Sequence, residues 1–437
     1  MSILSMLEIS EQIREKGNYV VATYFLETGL KVDIIKKVTG IAVEQSTGTW
    51  LPIPEETSEI REKYVAKVIG IYEVPPYEFE VPGDLSYRRW IFKLAYPAVN
   101  FGPQIPMLLS TIIGNISMAG KLKLLDIEFP EELTKQFQGP KFGVQGIRKI
   151  LGVKDRPLVG NMTKPCVGYT PEVGAKLFGK AAEGGVDLVK DDELISDPKY
   201  CPRLQRVKLY AEKANFIYEK TGHKVLYFVN ITDRVDKILD NAKRAIETGA
   251  NALMINYLTV GISGMQALSE SSDINVPIMG HLNFAGTMYE SHYSGMSSHL
   301  IFGKLARLAG ADILVYPSPY GKLSLLRERY LQTAHHLLGK WCHFKPTFPM
   351  PGGAVMPNVV PAIIKDLGKD CIMGVGGAIH GHPQGTVAGA QAMRQAVDAT
   401  MHGISLSKAA EIKPELSAAI NAWGLIGEKE KELFDIK

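Results

Sequence analysis

From about residue 157 to residue 401, short apolar runs alternate with stretches in which apolar side chains recur at helical spacing. The apolar runs occupy 157–165, 186–190, 224–231, 252–257, 276–283, 311–318, 344–349 and 371–377. Stretches that follow these runs, such as 170–183, 203–221, 233–248, 298–309, 324–338 and 386–401, read as amphipathic helices. A strand that is apolar at nearly every position, rather than at every second one, is buried on both faces, as in a parallel sheet. Eight such strand–helix units in about 270 residues predict one closed (β/α)8 TIM barrel. An open doubly wound sheet is the alternative. It usually has fewer strands, and no GxGxxG run follows the first strand here.

Before about residue 149 the pattern changes. Residues 19–26, 64–74 and 89–95 alternate in part, as half-exposed strands do, while 31–38 and 105–113 read as helices. This predicts an N-terminal α+β domain of ferredoxin-like type over 1–148, joined near 139–150 to a barrel domain over 149–437. The charged end, 428–437, reads as a frayed helix.

Composition narrows the function classes. Hydrophobic residues make up 46% and charged residues 22% of the chain, as in ordinary soluble enzymes, and a net charge of +3 is too small to imply nucleic acid or an anionic membrane. Four scattered cysteines, with no CxxC pair, argue against structural zinc and fit a reducing cytoplasm. Residues 1–18 lack the apolar core of a signal peptide, and no apolar run is long enough to span a bilayer. The expected partner is a small molecule.

Barrel enzymes place their chemistry at the carboxyl ends of the strands. The second predicted strand ends in Lys190-Asp191-Asp192-Glu193. Side chains alternate along a strand, so Lys190 and Asp192 point the same way, and Glu193 can join them where the strand breaks. Carboxylates this close repel unless a cation or proton sits among them, and Mg2+ favours such oxygen ligands. An ammonium cannot bind a metal, but a neutral lysine that captures CO2 becomes a carbamate and supplies the missing oxygen. A solvated acidic loop is the plain alternative.

Other strand ends carry Thr163-Lys164-Pro165, Asn230, His281-Leu282-Asn283, Ser318-Pro319-Tyr320-Gly321-Lys322, Pro351-Gly352-Gly353 and Gly376-Gly377. The two glycine pairs, with Lys322 nearby, suggest a phosphate site, because glycine lets backbone N–H groups approach an anion closely. Lys164, near a metal and away from water, is the first candidate for a base, although taken in isolation the residue reads as a solvated lysine. His281 is either chemical or packed. Cys166 reads as a small apolar filler.

These residues resemble the RuBisCO large-subunit superfamily. Glu44-Gln45-Ser46-Thr47-Gly48-Thr49-Trp50 resembles its N-terminal active-site motif, and Asn115 resembles the asparagine near its metal. Phe137-Gln138-Gly139-Pro140 resembles the interdomain link, and Gly381-His382-Pro383 the run after strand eight. Lys164, Lys190, Asp192, Glu193, Lys322, Gly352, Gly353, Gly376 and Gly377 also fall on family positions. The resemblance implies one Mg2+ held by carbamylated Lys190, Asp192 and Glu193. It also implies a homodimer, or an assembly of dimers, in which Glu44, Thr49 and Trp50 reach a partner's barrel mouth.

The departures from the carboxylases carry equal information. Their second lysine is Cys166 here, and their His-Arg pair at strand five becomes His281-Leu282. Their strand-six histidine is Val315, and their strand-seven serine is Pro351. The arginine and histidine hold the substrate's second phosphate, so their loss implies a substrate with one. The chain resembles a form IV RuBisCO-like protein, which implies enolisation or isomerisation of a phosphorylated ketose-like compound through an enediolate, without CO2 fixation. Lys164 is the first choice of base and the Lys190 carbamate the second. Gly139-Pro140-Lys141-Phe142-Gly143 and Pro317-Ser318-Pro319-Tyr320-Gly321 resemble the methionine-salvage branch, which enolises 2,3-diketo-5-methylthiopentyl-1-phosphate. That branch prefers lysine where Asn115 stands. Other readings are a 3-oxo sugar-acid phosphate transcarboxylase or hydrolase, a genuine ribulose-bisphosphate carboxylase, and an inactive binding protein.

Overall fold

Tyr19–Thr28 (β1) shows how the first half of the chain folds. Its residues alternate between intermediate and buried, and Val20, Ala22, Tyr24 and Leu26 form the buried face. It pairs antiparallel with Arg88–Pro97 on one side and with Leu122–Glu128 on the other, and Lys67–Glu73 pairs antiparallel with Arg88–Pro97. In chain order these strands are β2 (Lys67–Glu73), β3 (Arg88–Pro97) and β4 (Leu122–Glu128). Helices Ile34–Glu44 and Ile105–Ile113 bury Val38, Ile41 and Ala42, and Ile105, Leu108 and Ile112. The Tyr24 hydroxyl ties sheet to helix, meeting the Tyr96 hydroxyl at 2.9 Å and donating to Ile112 O at 2.6 Å. The helix expected at 31–38 starts later, because Asp33 caps it by accepting from Lys36 N, and it runs to Glu44.

The computed structural model describes residues 7, 8, 10–48 and 53–425. Thr49, Trp50 and the terminal segment 428–437 lie outside the described residues. The chain forms two compact units: Met1–Phe137 with Phe284–Ile301, and Gln138–Asn283 with Phe302–Lys437. The expected boundary at 148/149 falls inside the second of these units. Gly295–Met296 joins the first unit's sheet as an edge strand parallel to β4, with Gly295 opposite Lys123. A side chain at Gly295 would collide with Met288 O, 2.0 Å from its Cβ.

In the second unit eight parallel strands follow in order: β5 (Leu158–Met162), β6 (Leu188–Lys190), β7 (Leu226–Asn230), β8 (Ala252–Ile255) and β9 (Ile278–Gly280). With Gly295–Met296 counted as β10, they continue as β11 (Ile313–Pro317), β12 (Phe348–Gly352) and β13 (Ile372–Val375). The ladder runs β12-β11-β9-β8-β7-β6-β5-β13. Its two ends also meet, since Gly374 lies so close to Pro351 O and Gly352 Cα that a Cβ there would stand 2.7 and 3.3 Å away. The interior is a packed core of Leu158, Leu188, Leu226, Phe228, Met254, Met279, Ile313, Phe348, Met350 and Ile372. Val144, Ile147 and Leu151 of helix Gly143–Leu151 join that core. This is why the second unit begins at Gln138 and not after residue 148: the helix belongs to the barrel's filling.

Two expected elements shift. The strand predicted at 344–349 forms at Phe348–Gly352, in register with β11. The helix predicted at 298–309 is π-helical over Leu300–Leu305 and α-helical over Ala306–Leu308. Among the described residues no helix is long and apolar enough to cross a membrane, and the four cysteines are unpaired.

Candidate active site

The site grows from the end of β6. Lys190 pairs with Met162 of β5 and Phe228 of β7, and its side chain is only 1% exposed. The chain then leaves the sheet, and Asp191 turns away from its neighbours. Its carboxylate accepts from Arg206 Nε at 3.1 and 3.2 Å and Nη2 at 2.9 Å, from the Tyr227 hydroxyl at 2.9 Å, and from Asn230 N at 2.9 Å. Asp191 and Arg206 are both fully buried. The first of the three acids is thus consumed in holding the strand end in place. Asn256 Nδ2 donates to Glu193 O at 3.0 Å and fixes the other end of the turn.

The remaining groups meet. Lys164 Nζ lies 2.6 Å from Asp192 Oδ2 and 3.0 Å from Cys166 Sγ. Lys190 Nζ donates to Asp191 O at 2.8 Å and to Glu193 Oε2 at 3.2 Å. His281, the residue just after β9, places Nε2 3.2 Å from the same Glu193 oxygen. Asn283 N and Oδ1 both stand 3.3 Å from His281 Nδ1; the Glu193 carboxylate facing Nε2 can only accept, which favours the proton on Nε2 and leaves Nδ1 to accept from Asn283 N.

The charges set the protonation states. Burial works to raise Glu193, but Lys190 and His281 outweigh it and hold the carboxyl at about 2. Burial, with the charge of Lys190 adding to it, pushes His281 down to about 4 against the pull of Glu193, so the imidazole is neutral near pH 7. Burial also works to lower Lys164, yet its hydrogen bonds to Asp192 and Cys166 prevail and the amine is raised. Lys164 is an ammonium while Asp192 holds it, and must both leave that pair and release a proton before it can accept one.

Among the described residues no three His, Cys, Asp or Glu side chains are grouped as a ready cation site. Two ammoniums balance two carboxylates as the residues stand. Converting Lys190 to a carbamate would leave three anions facing one ammonium, a surplus of two negative charges on oxygen donors. That donor set fits a hard divalent cation, and its third arm is a lysine rather than an acid, histidine or cysteine.

The glycine pairs occupy neighbouring strand ends. Ser318 N donates to Gly352 O at 3.1 Å and Lys322 N to Gly353 O at 3.2 Å, so the loop after β11 is laced onto the end of β12. The Lys322 side chain is exposed. Gly353, with φ +88°, and Gly377 have open space where a side chain would stand, which leaves their backbone approachable. Gly376 instead lies against Lys164, whose Cε would be 3.1 Å from a Cβ there.

One histidine escaped the sequence reading. His380 ends the turn Gly377–His380, and its N–H bonds Gly376 O at 3.2 Å. Both ring nitrogens are buried without a protein partner. Burial, with Lys164 adding to it, holds the imidazole at about 4. An unpaired buried polar group costs about 1–3 kcal/mol. The signal available in the sequence was a histidine one turn after a glycine pair at a strand end.

In the first unit, Asn115 follows helix Ile105–Ile113, and its Nδ2 donates to Glu44 Oε1 at 3.2 Å at the end of helix Ile34–Glu44. These two predicted residues are therefore brought together. Thr49 and Trp50 lie outside the described residues.

Residues 9–133 match the family described as ribulose bisphosphate carboxylase large chain, N-terminal domain, and residues 143–423 match its catalytic domain. A ribulose bisphosphate carboxylase-like protein from Archaeoglobus fulgidus is 50% identical over 394 residues, 90% of either chain. A 2,3-diketo-5-methylthiopentyl-1-phosphate enolase from Geobacillus thermodenitrificans is 41% identical over 411 residues, 93% of this chain and 98% of its own. The crystal structure of a rubisco-like protein (MtnW) from Alicyclobacillus acidocaldarius superposes with a TM-score of 0.86 at 38% identity. That match covers 93% of this chain and 99% of the other.

Proposed function

The chain belongs to the ribulose bisphosphate carboxylase large-chain family, and on that premise we propose that it is a non-carboxylating, enolase-type enzyme acting on a phosphorylated carbonyl compound. The observation that carries this reading is the surrounding of Lys164. The candidate base touches Asp192 at 2.6 Å and Cys166 at 3.0 Å, and Cys166 stands where carboxylases have their second lysine.

Carbamylated Lys190, Asp192 and Glu193 would hold Mg2+, which would polarise the substrate carbonyl and offset the negative charge that develops on its oxygen. Lys164, released from Asp192 and having given its ammonium proton to solvent, takes the proton from the carbon beside that carbonyl as a neutral amine. His281, buried and neutral, donates to Glu193 and keeps that carboxylate aimed. Lys322 and the backbone N–H groups around Gly352, Gly353, Gly376 and Gly377 bind the single phosphate. Glu44, Asn115, Thr49 and Trp50 serve the site of a second copy in a homodimer. A cytoplasmic location agrees with four unpaired cysteines.

The substrate to test first is 2,3-diketo-5-methylthiopentyl-1-phosphate, on which the Geobacillus relative acts. Asn115, in place of the lysine that the methionine-salvage branch prefers, keeps a sugar-acid phosphate as the second reading. Purified protein with Mg2+ and bicarbonate in D2O should exchange the proton beside the carbonyl, seen as loss of its NMR signal, and Lys164→Met should abolish the exchange. Incorporation of radiolabelled CO2 into ribulose bisphosphate at a carboxylase-like rate would overturn the reading.

A further inference from the structure

We infer that His380 is a positioning residue for Lys164, the acceptor to which the lysine turns when Asp192 is engaged elsewhere. The inference rests on the reading of Lys164 as the base. Three observations support it. The turn that carries His380 is packed on the lysine, because Gly376 lies against Lys164 Cε and His380 N bonds Gly376 O at 3.2 Å. Both His380 ring nitrogens are buried and lack a protein partner, so the fold keeps an unused acceptor within the electrostatic reach of Lys164. Lys164 itself has two partners, Asp192 and the weakly accepting sulfur of Cys166.

The geometry then defines the role. A base must aim its lone pair at the substrate carbon, and an amine on a four-carbon stem is aimed only if its N–H bonds have acceptors. Asp192 is a poor acceptor for this purpose. It is an anion that favours the ammonium, and in the proposed function it becomes a ligand. Cys166 is one remaining acceptor. The neutral imidazole of His380 supplies the second, and being uncharged it fixes the amine's direction without holding a proton on it. His380 therefore acts through Lys164 and needs no contact with the substrate.

The test uses the full-length protein and two variants. His380→Phe keeps the ring volume but removes the acceptor, and His380→Gln keeps an acceptor close to the Nε2 position. With 2,3-diketo-5-methylthiopentyl-1-phosphate as the probe, His380→Phe should lower kcat about 100-fold with little change in KM, the penalty of a misaimed base. His380→Gln should recover to within about tenfold of the wild type. Equal kcat in the wild type and His380→Phe, or no recovery in His380→Gln, would overturn the inference. A second measurement needs neither turnover nor a metal. The 15N resonances of the His380 ring should shift in Asp192→Asn, where the lysine has lost its carboxylate partner, and should stay in place when Lys164→Met is added. An unmoved ring in Asp192→Asn also overturns the inference. A wild type that fails to exchange the substrate proton sinks the enolase reading instead, and the resonance test of His380 stands apart from it.

Discussion

His281 Nε2 and Lys190 Nζ converge on one oxygen, Glu193 Oε2, each at 3.2 Å. The neutral histidine comes from the end of β9 and the lysine from the end of β6, so one carboxylate oxygen ties two strands of the barrel rim. If Lys190 becomes a carbamate its ammonium contact is lost, and His281 is left as the donor that holds Glu193 in place. His281→Phe should therefore weaken the Mg2+ response about 10- to 100-fold, as loss of a partner behind a metal ligand does. A Mg2+ titration of substrate-proton exchange checks this, and an unchanged midpoint would show that Glu193 needs no such support.

Lys190→Ala should remove Mg2+-dependent activity entirely while circular dichroism and the unfolding midpoint stay close to the wild type. The wild type, saturated with 13C-labelled bicarbonate and Mg2+, should show a carbamate carbon resonance that the variant lacks. Lys190→Arg tests the same point more narrowly, because it preserves a buried cation beside Glu193 but cannot form the carbamate. Activity in Lys190→Arg would refute the metal-ligand role.

The sequence exposed the barrel because its strands are apolar throughout, and a buried parallel sheet leaves that imprint without help from distant residues. Helices 203–221 and 386–401 appear with the expected bounds for a related reason: Gly222, at φ +70°, ends the first where its periodicity ends. The family was equally legible, because Lys190, Asp192 and Glu193 lie within four consecutive residues. What stayed hidden depends on contacts distant in sequence. Asp191 looked like a third acid of the cluster, and only Arg206, fifteen residues on, shows that its charge is spent on packing. Gly295–Met296 is too short for any periodicity, and it finds its partner β4 some 170 residues earlier. The helix at Gly143–Leu151 is amphipathic, but nothing local says that its apolar face fills a barrel. His380 was overlooked because an unpaired imidazole is a property of its surroundings.

The buried His281 and the half-buried His380 make an acid-side signature. His281 and His380 are each held at about 4, below the 6.5 or so of an unfolded chain. Between those values the unfolded chain binds protons that the native protein does not, so stability falls as pH falls. The contribution is complete above about pH 6.5 and is lost progressively down to about pH 4. For the buried His281 it is on the order of 3 kcal/mol at most, and less for the partly exposed His380. Urea unfolding of the wild type and of a His281→Asn, His380→Gln double variant across this window should give a shallower pH slope for the variant. Parallel slopes would mean that both imidazoles titrate normally in the folded protein.

Gly321 is the position where the phosphate reading is most exposed to a single methyl group. A Cβ there would stand 1.7 Å from Gly353 O and 2.9 Å from Gly353 C, and backbone atoms cannot give way as a side chain can. The loop after β11 must then lift from the end of β12, breaking the Lys322 N to Gly353 O hydrogen bond and moving Lys322 off the glycine pair. The rest of the barrel keeps its core, because the loop contributes nothing to it. Gly321→Ala should accordingly raise KM for the phosphorylated substrate about tenfold, equivalent to losing one charge-assisted hydrogen bond of about 1.5 kcal/mol. The unfolding temperature should move little. Lys322→Ala should raise KM to a similar extent, and the double variant should be no worse than about either single one, since both changes remove the same contact. Fully additive losses would place Lys322 and the glycine pair in separate roles and remove the phosphate from between them.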